Sequence, residues 1–457
     1  MFYRFLPRVF YLIAIYAAVC LFWVEFADWV ASNIGTYDEL KPSRLDLAAA
    51  ALLAAVLYIL IVIFIFWMDR KHQVRFADTA QPYLHPNVTL VVFSAAFLTV
   101  AVLSGIQGDY KFHLHEWTAV LGGHDPWERG TWDNNYGPLF NALAPLAWVN
   151  PLANKLLFAF AYLVFIVWLI KDFAPRRGFV TLSWPFVGLW LLNPFPWEQI
   201  AYCGYFDVLV SLACVAAVHY LVRNKDVAAG TCLALGVLLK YMPIVILPFL
   251  VFSDRRFHFR LLISCVAVVI LGLIFSVFTW GTSTFLPLTV AATRNSVWSI
   301  YIALPSTHSP LQPFLHTQNV DWLDKPLLLA AGLGTFMWCI VHRVEPALSS
   351  TLGILVTLLF YRVGYANYQM VLFSLVLYWV VSTGAQFKNH SFLAMLLIGY
   401  FGFLSISNLA FWSGLVGSIF YSNIVVVLLQ FLLGCALLVS LIQLKFKPGG
   451  LQDATKG

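Results

Sequence analysis

Val-Thr-Leu-Val-Val-Phe-Ser-Ala-Ala-Phe-Leu-Thr-Val-Ala-Val-Leu-Ser-Gly-Ile occupies residues 88–106, and Gly108-Asp109-Tyr110 follows it. As a helix at ~1.5 Å per residue the run reaches roughly 28 Å, close to the ~30 Å hydrocarbon core of a bilayer. Lipid offers no partner for backbone N–H and C=O groups, so only helices or a closed barrel can cross it. The run is continuous and lacks the in–out alternation of a barrel strand, so the reading is helix. The fold class that follows is all-α, a polytopic membrane helical bundle. A carboxylate at the mouth of a span, ahead of a Trp- and Gly-rich loop, is well placed for chemistry on a lipid headgroup.

The rest of the chain repeats this pattern. Of its 457 residues 61% are hydrophobic and only 11% charged, with mean hydropathy +0.82. A soluble domain could not hide that much apolar surface. About fourteen apolar segments are expected: 8–30, 46–67, 88–106, 153–170, 178–192, 205–222, 227–240, 243–252, 261–280, 326–341, 347–361, 368–381, 391–409 and 423–444. Arg4 and Arg8 precede the first, but no small-residue cleavage site follows before Glu25, so it reads as a retained span and not a signal peptide. Six of the seven cysteines fall in apolar runs and Cys203 in a loop, which argues against disulfides and against a metal site.

The net charge of +6 does not point to nucleic acid, because its distribution follows the membrane. Most Lys and Arg residues fall in alternate loops (Arg4/Arg8, Arg70/Lys71/Arg75, Lys171/Arg176/Arg177, Arg223/Lys225, Arg255/Arg256/Arg260, Arg343, Lys388, Lys445/Lys447/Lys456), and most acids fall on the other side. The bias places both termini in the cytoplasm and Asp109 on the outer or lumenal face. Residues 227–252 lie between two basic loops, with Lys240-Tyr241-Met242-Pro243 at the middle. Each arm is too short to cross, so the segment reads as a re-entrant hairpin with Lys240 at the floor of an outward cavity. Residues 1–86 form two helices and a charged linker ahead of a core at 87–457, and no internal repeat is visible.

Several outer-face groups are candidates for chemistry. A helix over 109–121 would put Tyr110, Leu114, Trp117 and Leu121 on an apolar face. Asp109, His113 and Glu116 would share a polar face turned to water. His113 and His115 point nearly opposite ways at i, i+2, so they would not chelate a metal together. Glu198, Asp207, Arg294, His308, His316, Arg362, Tyr365 and Tyr368 complete the outward set. Lys240 and Arg362 rank highest, because each ends a short span and intramembrane charges are costly. Arg362 could also simply snorkel to the interface.

The order of span, Gly108-Asp109-Tyr110, helix, Gly123-His124-Asp125-Pro126-Trp127, then Tyr136-Gly137-Pro138-Leu139 resembles the GT-C superfamily of integral-membrane glycosyltransferases. The nearest likeness is to glycosyltransferase family 87, the polyprenyl-phosphate-mannose mannosyltransferases. Asn193-Pro194, Gly204-Tyr205-Phe206-Asp207 and Leu239-Lys240-Tyr241-Met242-Pro243 are similar to that family's later elements. The resemblance spans roughly residues 88–400, and the first two spans have no counterpart in it.

That resemblance implies a polyprenyl-phosphate sugar as donor, mannosyl by likeness alone, a lipid or glycan acceptor, no cofactor, and a bacterial inner membrane with the site on the periplasmic face. A polyprenyl phosphate leaves readily at neutral pH, so one carboxylate is enough to deprotonate the attacking hydroxyl. Two carboxyls about 5 Å apart would be needed for double displacement. The expectation is inversion with Asp109 as base, His113 orienting it or touching sugar, and Glu116 beside them. Lys240, Arg294 and Arg362 would cradle the phosphate. Trp117, Trp127, Tyr136, Asp207, Tyr365 and Tyr368 would contact substrate, the aromatics serving equally well as interface anchors. Two other readings compete. A transporter or lipid-linked-glycan flippase would gather its charges at the midplane and show repeats, and an O-antigen polymerase or ligase would show Arg-rich outer loops.

Overall fold

The computed structural model describes residues 86–107, 109–127, 134–173, 189–253, 256–288, 299–303, 323–383, 391–412 and 424–444. The two spans expected before residue 86, and Arg294, His308 and His316, lie outside them. Every element among the described residues is a helix. Four are long and apolar enough to cross a membrane: Ala153–Lys171, Phe259–Leu288, Asp324–Val341 and Val426–Gln443. A fifth is counted if Pro194–Tyr202 and Asp207–Val222 form one broken span. The fourteen expected segments are thus met only in part. Several of the remaining apolar runs form shorter helices, among them Asp226–Leu239 and Pro346–Phe360.

The chain divides into two compact units. The first takes residues up to Gly108, Ala159–Gly204 and Val380–Phe420. Its core is aromatic. Phe93 on helix Pro86–Leu103 meets Trp190 and Trp197 edge-on, at 4.8 and 5.3 Å between ring centres. Asn193 caps the short helix Pro194–Pro196 through Phe195 N–H, and its amide donates to the Ile398 carbonyl of helix Ser391–Trp412. Glu198 is buried in the π-helical turn Trp197–Tyr202. It accepts from Gln199 Nε2 at 2.6 Å, from Asn408 Nδ2 and, at 3.8 Å, from Cys203 Sγ. Sequence placed Glu198 on the outer face and Cys203 in a loop. Both are buried: Cys203 does stand in the turn after Tyr202, and for Glu198 a partner 210 residues away supplies the donor that a buried carboxylate requires.

The second unit holds Asp109–Phe158, Tyr205–Trp379 and Tyr421–Gly457. Helices Asp207–Val222, Asp226–Leu239 and Phe259–Trp280 pack side by side in chain order. Small residues set their spacing: a Cβ on Gly230 would strike Ser264 and Leu261, and one on Gly272 would strike Leu238. In lipid, such close approach supplies the dispersion energy that apolar burial cannot. Helix Pro346–Phe360 is buried from Pro346 to Leu359 and packs against Asp324–Val341 and Ile424–Leu444.

The expected break at Lys240 is present. Helix Asp226–Leu239 ends there, and Lys240 itself is extended, at φ −155° and ψ 127°. The 3₁₀ turn Met242–Ile246 and helix Leu247–Val251 complete the hairpin. Pro243 cannot donate to a continuing helix; Lys240 leaves the helical region three residues before it, and Tyr241 returns to that region to open the 3₁₀ turn.

Candidate active site

The candidate site lies entirely within the second unit. Its first element is helix Tyr110–Leu121, outside the candidate spans, with Asp109 as N-cap residue. Asp109 is part-exposed. Its backbone carbonyl accepts from the N–H groups of Phe112 and His113 at 2.9 and 3.1 Å. The helix is held by Tyr110, whose hydroxyl donates to Pro151 O at 2.6 Å and accepts from Lys155 N–H at 3.1 Å. Trp117 Nε1 donates to Phe140 O at 3.0 Å.

The face of this helix that packs inward differs from the expected one. Tyr110, His113, Glu116 and Trp117 are buried, while Leu121 is 44% exposed. The polar face turns in because a distant aromatic cluster covers it. The ring of His113 lies 5.1 Å from Tyr136, 5.2 Å from Phe140 and 5.5 Å from Phe206. Its Nδ1 stands 3.6 Å from Glu116 Oε2, beyond hydrogen-bond reach. Neither nitrogen of His113 nor that Glu116 oxygen has a hydrogen-bond partner among the described residues.

Burial, and secondarily the Lys240 ammonium, lowers the His113 pKa to about 3. Burial, and secondarily the Asp109 charge, raises that of Glu116 to about 9. Both side chains are therefore neutral at pH 7, and their contact is not an ion pair despite its geometry.

The second element is the turn Asn134-Asn135-Tyr136-Gly137. Asn134 Oδ1 accepts from Tyr136 N–H at 3.0 Å, and Gly137 N–H donates to Leu239 O at 3.0 Å. Gly137 approaches the hairpin so closely that a Cβ there would run into the Leu238 carbonyl. The turn thereby sets Tyr136 against the hairpin tip. The Tyr136 phenol is held well above its usual pKa, first by burial and then by Glu116, Asp109, Asp207 and Tyr368. One hydroxyl thus feels every acidic group of the site.

The third element is the hairpin tip. Lys240 Nζ lies 2.5 Å from Asp207 Oδ1, with both side chains buried. The ammonium also sits 3.8 Å from the Tyr368 ring centre, 5.6 Å from Phe206 and 5.9 Å from Tyr136. A desolvated cation over aromatic faces gains about 2 kcal/mol, and its carboxylate partner offsets the cost of burial. Asp207 Oδ2 has no hydrogen-bond partner among the described residues. Asp109, Tyr136, Tyr365 and Tyr368 are part-exposed and form a rim; Lys240, Asp207, His113 and Glu116 form the floor.

The other expected site residues fall into place around this cluster or apart from it. Trp127 is buried, with Nε1 donating to Tyr136 O at 3.3 Å and its ring 5.6 Å from Trp280. Tyr365 packs edge-on to Tyr368 at 6.0 Å. Arg362 does not snorkel: its Nε donates to Asp324 Oδ2 at 2.6 Å, and both are buried. Sequence reading passed over Lys155, a fully buried lysine in helix Ala153–Val167. A single cation inside an apolar run was the signal that could have found it. No cluster of three or more His, Cys, Asp or Glu side chains suited to a metal occurs among the described residues.

Membrane-length helices, with a carboxylate, a lysine and tyrosines gathered at the ends of shorter ones, describe an integral-membrane protein with a polar site at its helix ends. The sequence model of glycosyltransferase family 87 matches residues 134–383, and the chain belongs to that family. It is accordingly a membrane glycosyltransferase. The match takes in Tyr136, Asp207, Lys240, Arg294, Arg362, Tyr365 and Tyr368; Asp109, His113, Glu116, Trp117 and Trp127 precede it. No curated protein matches the chain.

Proposed function

We propose that this glycosyltransferase moves a sugar, mannose by family likeness, from a polyprenyl-phosphate donor to a lipid or glycan acceptor. The reaction is a single displacement with inversion, and Asp109 is the base. The observation that carries this reading is the division of labour among three carboxyls. Glu116 is held protonated by burial. Asp207 is committed to Lys240. Asp109, part-exposed at a helix N-terminus, is the carboxylate suited to accept a proton at neutral pH.

In the reaction, the acceptor oxygen bonds to the anomeric carbon as Asp109 takes its proton. The bond from that carbon to the phosphate oxygen breaks, and the electron pair leaves with the polyprenyl phosphate. Lys240, with Arg362 and Arg294 in support, stabilises that phosphate electrostatically. Tyr136, Tyr365 and Tyr368 offer ring faces to the sugar, and Trp117 and Trp127 brace the helix and turn from behind. No metal or cofactor enters the scheme.

The wider assembly we propose has about fourteen membrane segments, two of them in a separate domain at 1–86 ahead of the core at 87–457. Both termini are cytoplasmic, and the site opens on the periplasmic face of a bacterial inner membrane. The test is transfer by the purified full chain from radiolabelled polyprenyl-phosphate-mannose, set against nucleotide-activated mannose, with the anomeric configuration of the product read by NMR. Transfer from the lipid-linked donor alone, with inversion, is expected. Transfer from the nucleotide sugar alone, or retention, would overturn the proposal.

A further inference from the structure

Away from the candidate site, the opposite end of the same helices carries an unusual surface. Helix Asp226–Leu239 begins there and ends at Lys240, so the two ends are separated by roughly 21 Å at ~1.5 Å per residue. Two connections meet at this end. The first is the tight turn Arg223-Asn224-Lys225, with Asn224 at φ 56° and Lys225 N–H bonded to Tyr220 O at 2.9 Å. The second is the approach to helix Phe259–Trp280. His258 Nδ1 lies 3.1 Å from Asp226 Oδ1 and ties the two together.

This tie matters for charge. It gives Asp226 a partner of its own beside four exposed cations of these two connections: Arg223, Lys225, Arg256 and Arg260. Between them stand exposed aromatic rings. Phe257 is 50% exposed, Phe259 57% and Phe252 45%. Phe252 and Phe257 lie 4.9 Å apart, and Phe257 and Phe259 6.1 Å. Phe336, late in helix Asp324–Val341, packs on Phe252 at 5.7 Å, which brings the exposed Arg343 beyond that helix to the same end.

Phe259 and Arg260 are also the first residues of the candidate span Phe259–Leu288. A residue that opens a span sits where headgroups begin. Arginines there meet phosphates, and phenylalanines reach the upper acyl chains. A soluble protein partner would have to displace lipid to cover these rings, whereas an anionic lipid satisfies rings and cations together.

We infer that Arg223, Lys225, Arg256 and Arg260, with Phe257 and Phe259, form a binding site for an anionic glycerophospholipid headgroup at the foot of the Lys240 hairpin. Each basic side chain near an anionic surface strengthens binding about fivefold. Removing all four should therefore weaken it by on the order of a hundredfold or more.

The experiment uses the full chain in a neutral detergent, with retained lipid counted by native mass spectrometry against added phosphatidylglycerol or phosphatidylcholine. The wild type should retain phosphatidylglycerol over phosphatidylcholine. The variant with Arg223→Gln, Lys225→Gln, Arg256→Gln and Arg260→Gln should lose that preference while keeping the wild-type melting temperature in lipid-free detergent. A variant with the three arginines changed to lysine should keep most of the preference, and this arm stands even if the glutamine variant fails to fold. Equal retention of the two lipids by the wild type would overturn the inference. So would displacement of the lipid by millimolar inorganic phosphate, which would make the site one for free phosphate, or loss of the preference when a protein partner binds there instead. None of these outcomes depends on sugar transfer.

Discussion

Replacing Glu116 with Gln should change how stability depends on pH, and the sign can be worked from two side chains. Glu116 is raised from an ordinary 4.5 to about 9 by burial and by Asp109. Between those values the folded chain holds a proton that the unfolded chain has lost, so stability falls as pH rises. His113 is lowered from 6.5 to about 3, so over that window the unfolded chain holds the extra proton and stability rises with pH. The two slopes oppose each other between pH 4.5 and 6.5 and nearly cancel. Above pH 6.5 only the Glu116 slope is left, at about 1.4 kcal/mol per unit, which sums to about 3 kcal/mol by pH 9. Gln is isosteric and cannot ionise. Thermal unfolding in detergent should therefore show the wild type losing several degrees from pH 6.5 to 9 relative to Glu116→Gln. Below pH 6.5 the variant should lose stability toward pH 4.5 while the wild type stays flat, because the His113 slope is then uncompensated. Parallel curves for the two proteins across both windows would refute the assignment of a buried, protonated Glu116.

Other perturbations test the neighbouring elements. Asp207→Asn strands a buried ammonium and should cost about 3–5 kcal/mol, most of it recovered in the double variant with Lys240→Met; equal losses from the single and double variants would deny the pairing. Gly137→Ala forces the Tyr136 turn away from Leu238 and should cost about 1–3 kcal/mol, with a matching loss of transfer. A wild-type melting temperature in that variant would show that the contact is not tight. A cysteine in place of the exposed His124 should react with membrane-impermeant maleimide in right-side-out cells. Labelling only in inverted vesicles would reverse the proposed orientation.

Local rules made some of this legible from sequence, and pairing over long separations concealed the rest. The break at Lys240 could be read because Pro243 and two short arms between basic loops act over a few residues. The helix after Asp109 was readable for the same reason. Its buried face was not. Periodicity put Tyr110, Leu114, Trp117 and Leu121 on one apolar face and turned His113 and Glu116 to water; Tyr110 and Trp117 are buried, but Phe140 and Phe206 cover His113 as well, and their arrival depends on how distant segments pack. The pairs Asp207–Lys240 and Asp324–Arg362 have the same origin. Sequence showed costly membrane charges, and only the fold shows that each has a carboxylate within reach. The burial of Glu198 was not legible, because its partner Asn408 belongs to a helix with no charge to announce it.

The most direct test of the account is single-turnover transfer by Asp109→Asn, measured beside donor affinity on the same preparation. Loss of the base should slow transfer by roughly 10²–10⁴-fold while polyprenyl-phosphate-mannose binds within a few-fold of wild type. Transfer at the wild-type rate by the Asn variant would contradict it.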